Sequence, residues 1–67
     1  MATYSISPIK DGKYKVIRKT RGAAATPISM DRAALESYLK DGHSDPGPLD
    51  VLASLDRGET VTVTMDD

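Results

Sequence analysis

Thr3-Tyr4-Ser5-Ile6-Ser7-Pro8-Ile9-Lys10-Asp11-Gly12-Lys13-Tyr14-Lys15-Val16-Ile17-Arg18-Lys19-Thr20 holds two β-type runs, 3–9 and 13–20, on either side of Lys10-Asp11-Gly12. The Asp-Gly pair is a strong hairpin signal. Parity chooses between two registers. A two-residue turn at Asp11-Gly12 pairs Ile9 with Tyr14 and Ser7 with Val16, which puts Tyr4 and Ile6 on the opposite face from Val16 and scatters the apolar side chains. A three-residue loop, Lys10 to Gly12 with Gly12 left-handed, pairs Pro8 with Tyr14, Ile6 with Val16 and Tyr4 with Arg18, and so collects one apolar face. The second register is the expected one.

Downstream, Ser29 is placed to cap a first helix, with Asp31 in its first turn at the positive end of the dipole. Ala34, Leu35, Tyr38 and Leu39 form the buried stripe, and Gly42 is read as the left-handed residue that ends it. His43-Ser44-Asp45-Pro46-Gly47-Pro48 follows as a rigid connector through which neither helix nor ladder is expected to pass. A second helix is expected from Leu49 to Arg57, with Leu49, Leu52 and Leu55 inward and Gly58 as its stop. In the last run, Thr60 to Met65, Val61, Val63 and Met65 alternate with Thr60, Thr62 and Thr64, as in a strand with one dry and one wet face. The order β-β-α-α-β predicts a single α+β domain over 1–67: a three-stranded, mainly antiparallel sheet with two helices packed on one face. Its other face displays Thr3, Ser5, Ser7, Lys13, Lys15, Ile17, Lys19, Thr60, Thr62 and Thr64, with Ile17 exposed in the middle.

The chain has 67 residues. Its eighteen large apolar side chains from Tyr4 to Met65 support one small core, with a net stability of about 3 to 5 kcal/mol. There is no cysteine, hence no disulfide framework and no thiolate zinc site. The N-terminus lacks the basic start and apolar run of a signal peptide, and no window is long and apolar enough for a membrane span. A cytoplasmic protein is expected. Ala23-Ala24-Ala25 reads as no more than a connection.

Charge is sorted by position. Residues 1–30 carry Lys10, Lys13, Lys15, Arg18, Lys19 and Arg21 against Asp11, a balance of +5. Residues 31–67 carry nine acids against Arg32, Lys40 and Arg57, a balance of −6. Such segregation within a nearly neutral chain points to a charged partner.

Catalysis is not expected. His43 is the single imidazole, and a base beside its nucleophile (Ser44) in one loop cannot easily reach both that nucleophile and a substrate. Asp41-x-His43-x-Asp45 matches the start of a calcium loop, but Pro46 stands where that loop needs its glycine and Leu52 where it needs its bidentate acid. No metal and no cofactor are therefore assigned. A binding role remains. The partner-facing candidates are Lys13, Lys15, Ile17, Lys19 and Arg21, and the secondary candidate is an acidic surface of Asp45, Asp50, Asp56 and Glu59. The expected partner is a protein, with nucleic acid the rival. Against nucleic acid, no aromatic interleaves with the lysines for base stacking, and the acidic second half repels a duplex. Monomer and homodimer are both compatible with this reading.

The passage Val51-Leu52-Ala53-Ser54-Leu55-Asp56-Arg57-Gly58-Glu59-Thr60-Val61-Thr62-Val63-Thr64 resembles the helix, Gly-Glu, strand passage of Phd/YefM-type antitoxins, which implies an antitoxin-like regulator as an alternative. In length, in β-β-α-α-β order and in the Leu55 to Glu59 passage into its last strand, the chain is also similar to small phage-encoded anti-CRISPR proteins. That resemblance implies a non-catalytic inhibitor, encoded by a phage or mobile element, that occupies a nucleic-acid-binding or subunit surface of a bacterial defence complex.

Overall fold

The computed structural model describes residues 2–19 and 26–66. Arg21 and Ala23-Ala24-Ala25 fall outside these, as does Thr20 at the end of the second run. The elements are β1 (Ala2–Pro8), a 3₁₀ turn (Lys10–Gly12), β2 (Lys13–Lys19), β3 (Ile28–Asp31), α1 (Arg32–Asp41), α2 (Pro48–Asp56) and β4 (Val61–Met65). One antiparallel sheet has the order β3-β2-β1-β4. The class is α+β as expected, but the sheet has four strands rather than three, and the element order is β-β-β-α-α-β.

The hairpin takes the expected register, with Pro8 opposite Tyr14, Ile6 opposite Val16 and Tyr4 opposite Arg18. It does so by combining both sequence signals. Asp11 (φ 63) and Gly12 (φ 69) are both left-handed, as a type I′ turn requires, and the Lys13 N–H closes on the Lys10 carbonyl. The Ile9 N–H then also reaches the Lys13 carbonyl at 2.9 Å, so Ile9 and Lys10 together oppose Lys13. This bulge moves the register by one residue and brings the apolar parity into line.

β3 occupies the segment read as the start of a helix. Ser29 is a strand residue opposite Lys15, and the cap of α1 is Asp31, whose carboxylate accepts from the Ala34 N–H at 2.8 Å. A cap of this kind is worth about 1 kcal/mol. Gly42 is likewise not left-handed (φ −85, ψ 0); His43 takes that conformation instead, at φ 51. What Gly42 supplies is room, because a Cβ built on it would lie 2.8 Å from Sδ of the buried Met65.

The connector also departs from expectation, because a ladder does reach it. The Asp45 N–H donates to the Thr64 carbonyl (2.8 Å), the Thr64 N–H returns to the Asp45 carbonyl (3.0 Å), and the Asp66 N–H donates to the Gly42 carbonyl (2.8 Å). In α2 the inward residues are Val51, Leu52 and Leu55, and Leu49 is 77% exposed. Gly58 (φ 81) follows the helix as predicted.

Both helices pack on one face of the sheet. Ile6, Val16 and Val63 from the strands meet Leu35, Leu39 and Val51 from the helices to form the fully buried centre. Tyr4 and Tyr38 meet edge to face at its margin, with ring centroids 6.0 Å apart. Among the described residues no helix is long and apolar enough to cross a membrane.

Candidate functional site

Strand alternation sends every second residue of the sheet away from the helices. On β2 these are Lys13, Lys15, Ile17 and Lys19, which therefore share one rigid surface at intervals of about 6.6 Å. The pairings set their neighbours. Lys15 lies between Ser29 of β3 and Ser7 of β1, Ile17 lies opposite Ser5, which faces Thr62, and Lys19 lies opposite Thr3, which faces Thr64. The Ser7 and Thr60 hydroxyls are hydrogen-bonded at 3.2 Å, extending the Lys15 row to the start of β4. Lys13 and Lys19 are exposed and Lys15 is half-buried. Ile17 is half-buried too, rather than exposed as expected, because flanking side chains on a twisted sheet cover part of a flat aliphatic surface. Among the described residues, Lys13, Lys15 and Lys19 make no ion pair. Asp31, opposite Lys13, has its carboxylate engaged at the cap of α1.

The proposed acidic surface is arranged differently. Arg32 holds Asp56 in a bidentate pair at 2.6 and 3.1 Å and also donates to the Tyr14 hydroxyl at 3.3 Å. Arg57 holds Glu59 at 3.3 Å. Asp50 stands in the first turn of α2, about 9 Å along the axis from Asp56 at its end, and Asp45 sits on the bridge to Thr64. The fold engages two of the four carboxylates with arginines and divides the set between the two ends of α2.

The hydrogen bonds and charge of Arg32 hold the Asp56 carboxyl below its ordinary value, and those of Asp56 and Tyr14 raise the guanidinium. Because the folded pKa of Asp56 is lowered, its stabilising contribution is present above the ordinary carboxylate range and is lost as pH falls through the folded value. Asp56→Asn should therefore flatten the acid limb of Tm against pH below about pH 4. The pair is about half exposed and the effect correspondingly small. An unchanged acid limb in the variant contradicts this assignment.

The His43 loop is bonded within itself and to β4. The Ser44 hydroxyl donates to the Pro46 carbonyl at 2.9 Å, not to the imidazole, and Asp45 is engaged through its backbone. Among the described residues no group of three or more His, Cys, Asp or Glu is placed to hold a metal ion. An open cleft of 270 Å³ is lined by Tyr4, Tyr38, Asp41, Gly42, Met65 and Asp66, slightly below the usual range of ligand pockets. Desolvation and a hydrogen bond with Tyr4 raise the Tyr38 phenol, partly offset by Arg18. Of the residues singled out from sequence, Lys13, Lys15, Ile17 and Lys19 share a surface, while Arg21 lies outside the described residues. Sequence reasoning missed Ser29 and Asp31, which extend that surface beyond Lys15 and Lys13; the alternation in Ile28-Ser29-Met30-Asp31 was their signal.

Comparison of the chain with protein-family models, with curated proteins and with solved structures finds no match.

Proposed function

We propose that the chain is a small non-enzymatic protein-binding module that docks through the outer face of its sheet. The observation that carries this reading is the row Lys13, Lys15, Ile17 and Lys19. It presents three cations without ion pairs among the described residues and a half-buried aliphatic anchor, all on one rigid surface. A partner with an acidic, partly apolar patch matches it in charge and shape. The engagement of Asp56 and Glu59 by Arg32 and Arg57 favours the hairpin over the acidic surface as the docking element. The similarity in size and in the Leu55 to Glu59 passage gives the narrower form of the proposal, in which the partner is a CRISPR-type effector complex and the module its inhibitor. Such a protein acts in the host cytoplasm.

The test is capture from bacterial lysate followed by binding kinetics on two sets of variants. Lys15→Glu and Ile17→Asp should each weaken binding by more than about 30-fold. Neutralising Asp45, Asp50, Asp56 and Glu59 should leave it nearly unchanged. Normal binding by the hairpin variants defeats the proposal. If instead the chain shifts DNA or RNA at low salt, and Ser at Lys13, Lys15, Lys19 and Arg21 weakens that shift for all sequences alike, the surface belongs to a nucleic-acid accessory protein.

A further inference from the structure

The two margins of the sheet are unequal. Beyond β4, the Asp45–Thr64 bridge and the bond from Asp66 to Gly42 occupy backbone groups that would otherwise face outward. Beyond β3, no strand pairs among the described residues. Which groups β3 presents follows from the phase of the ladder. The Ile9 to Lys13 hydrogen bond directs Lys13, Lys15, Ile17 and Lys19 towards β1, so Tyr14 and Val16 bond to β3 through Met30 and Ile28. The same phase, carried through β1 to β4, makes Thr64 point outward, and its exchange with Asp45 bears that out. Ser29 and Asp31 therefore direct their backbone groups to the open margin.

We propose that this margin pairs with β3 of a second copy, antiparallel, about a two-fold axis at Ser29. In that register the Ser29 N–H of each copy donates to the Ser29 carbonyl of the other, and the Asp31 N–H donates to the Pro27 carbonyl across the axis. Pro27 offers no N–H in return. None is needed, because the carbonyl of a helix-capping residue already accepts the first bond of its own helix. On the helix side of the sheet the pairing sets Ile28, 54% exposed, beside Met30 of the second copy. The apolar row Val16, Ile28, Met30, Tyr14 then runs unbroken across the seam. No like charges are brought together on the outer face of the seam. On the outer side, Asp31 lies between Lys13 of its own sheet and the uncharged Pro27 of the other. The two Lys15 residues are separated by the paired serines, about 14 Å apart and beyond the Debye length at physiological salt. The inference stands independently of the docking role proposed for the outer face.

A four-residue edge buries less than a standard interface, so the dimer is weak, with a Kd on the order of 100 µM. Sedimentation or diffusion NMR of the full chain from about 10 µM to about 2 mM should show concentration-dependent dimerisation. Ser29→Pro, which removes the central donor, should raise the Kd at least about tenfold, and Ile28→Lys should do the same through the apolar row. Because the chain has no cysteine, Ser29→Cys should oxidise readily to a covalent dimer, and Thr62→Cys on the opposite margin should not. If Ser29→Pro does not fold, Ile28→Lys and the cysteine pair decide. A wild-type chain that stays monomeric throughout overturns the proposal, including one that takes up only an extended segment of another protein. So does a folded variant that dimerises undiminished, or a Ser29→Cys protein that cross-links no faster than Thr62→Cys.

Discussion

Leu39→Ala is expected to bring the chain to the edge of unfolding at room temperature. Leu39 is fully enclosed, on the stripe of α1 that faces the sheet, where truncation removes transfer free energy and leaves a cavity. Such changes cost about 2 to 5 kcal/mol. A domain of this size holds about 3 to 5 kcal/mol in all, so the loss takes a large part or all of the margin. Circular dichroism during thermal or urea denaturation reads this directly. A cooperative transition within a few degrees of the wild type means that the core collapses around the gap far better than its packing indicates.

Gly42→Ala should cost about 1 to 3 kcal/mol by overpacking. The backbone at Gly42 (φ −85, ψ 0) is one that any residue adopts, so the penalty is steric. The new Cβ would meet Met65 Sδ at 2.8 Å and its Cβ and Cγ at 3.2 Å. Met65 is 3% exposed and belongs to the core, so its side chain cannot simply swing into solvent, and its Cβ is fixed to the strand. The same substitution at Gly47, where a Cβ meets nothing within 4 Å, serves as the control and should cost much less. Combining Gly42→Ala with Met65→Ala should be non-additive, because the second change removes Sδ and Cγ, two of the three atoms that the first one strikes. Equal melting temperatures for the Gly42 and Gly47 variants rule the steric account out.

The parts of this fold that were legible in the sequence are those fixed by parity over a long run. Seven residues in each of β1 and β2 give the alternation enough length to select one register, and that register carries the outer-face residues with it. Val61 to Met65 reads just as directly. β3 spans only four residues, too few for alternation to compete with the Ser29-x-Asp31 pattern of a helix start. Its strand character comes from pairing with β2, a tertiary effect. The inward face of α2 was misread at one of its three residues, Leu49 in place of Val51, because two stripes fit the helical period. Leu49, Leu52 and Leu55 spread over about 120° of arc, whereas Val51, Leu52 and Leu55 fit within about 100°, and the tighter stripe is the one buried. The arginine partners of the acids were not legible at all for Asp56, which meets Arg32 across 24 positions of chain.

The bonds that bind the connector to the far side of β4 also bear on how this protein can go wrong. Cross-β filaments grow because each added strand offers a fresh, open margin to the next. Here Asp45 and Gly42 close one margin at Thr64 and Asp66. A copy joined through the other margin then presents outward a β4 margin whose Thr64 and Asp66 backbone groups are already bonded, which disfavours a further strand. The segment read from sequence as a connector without a ladder thus guards part of one sheet margin.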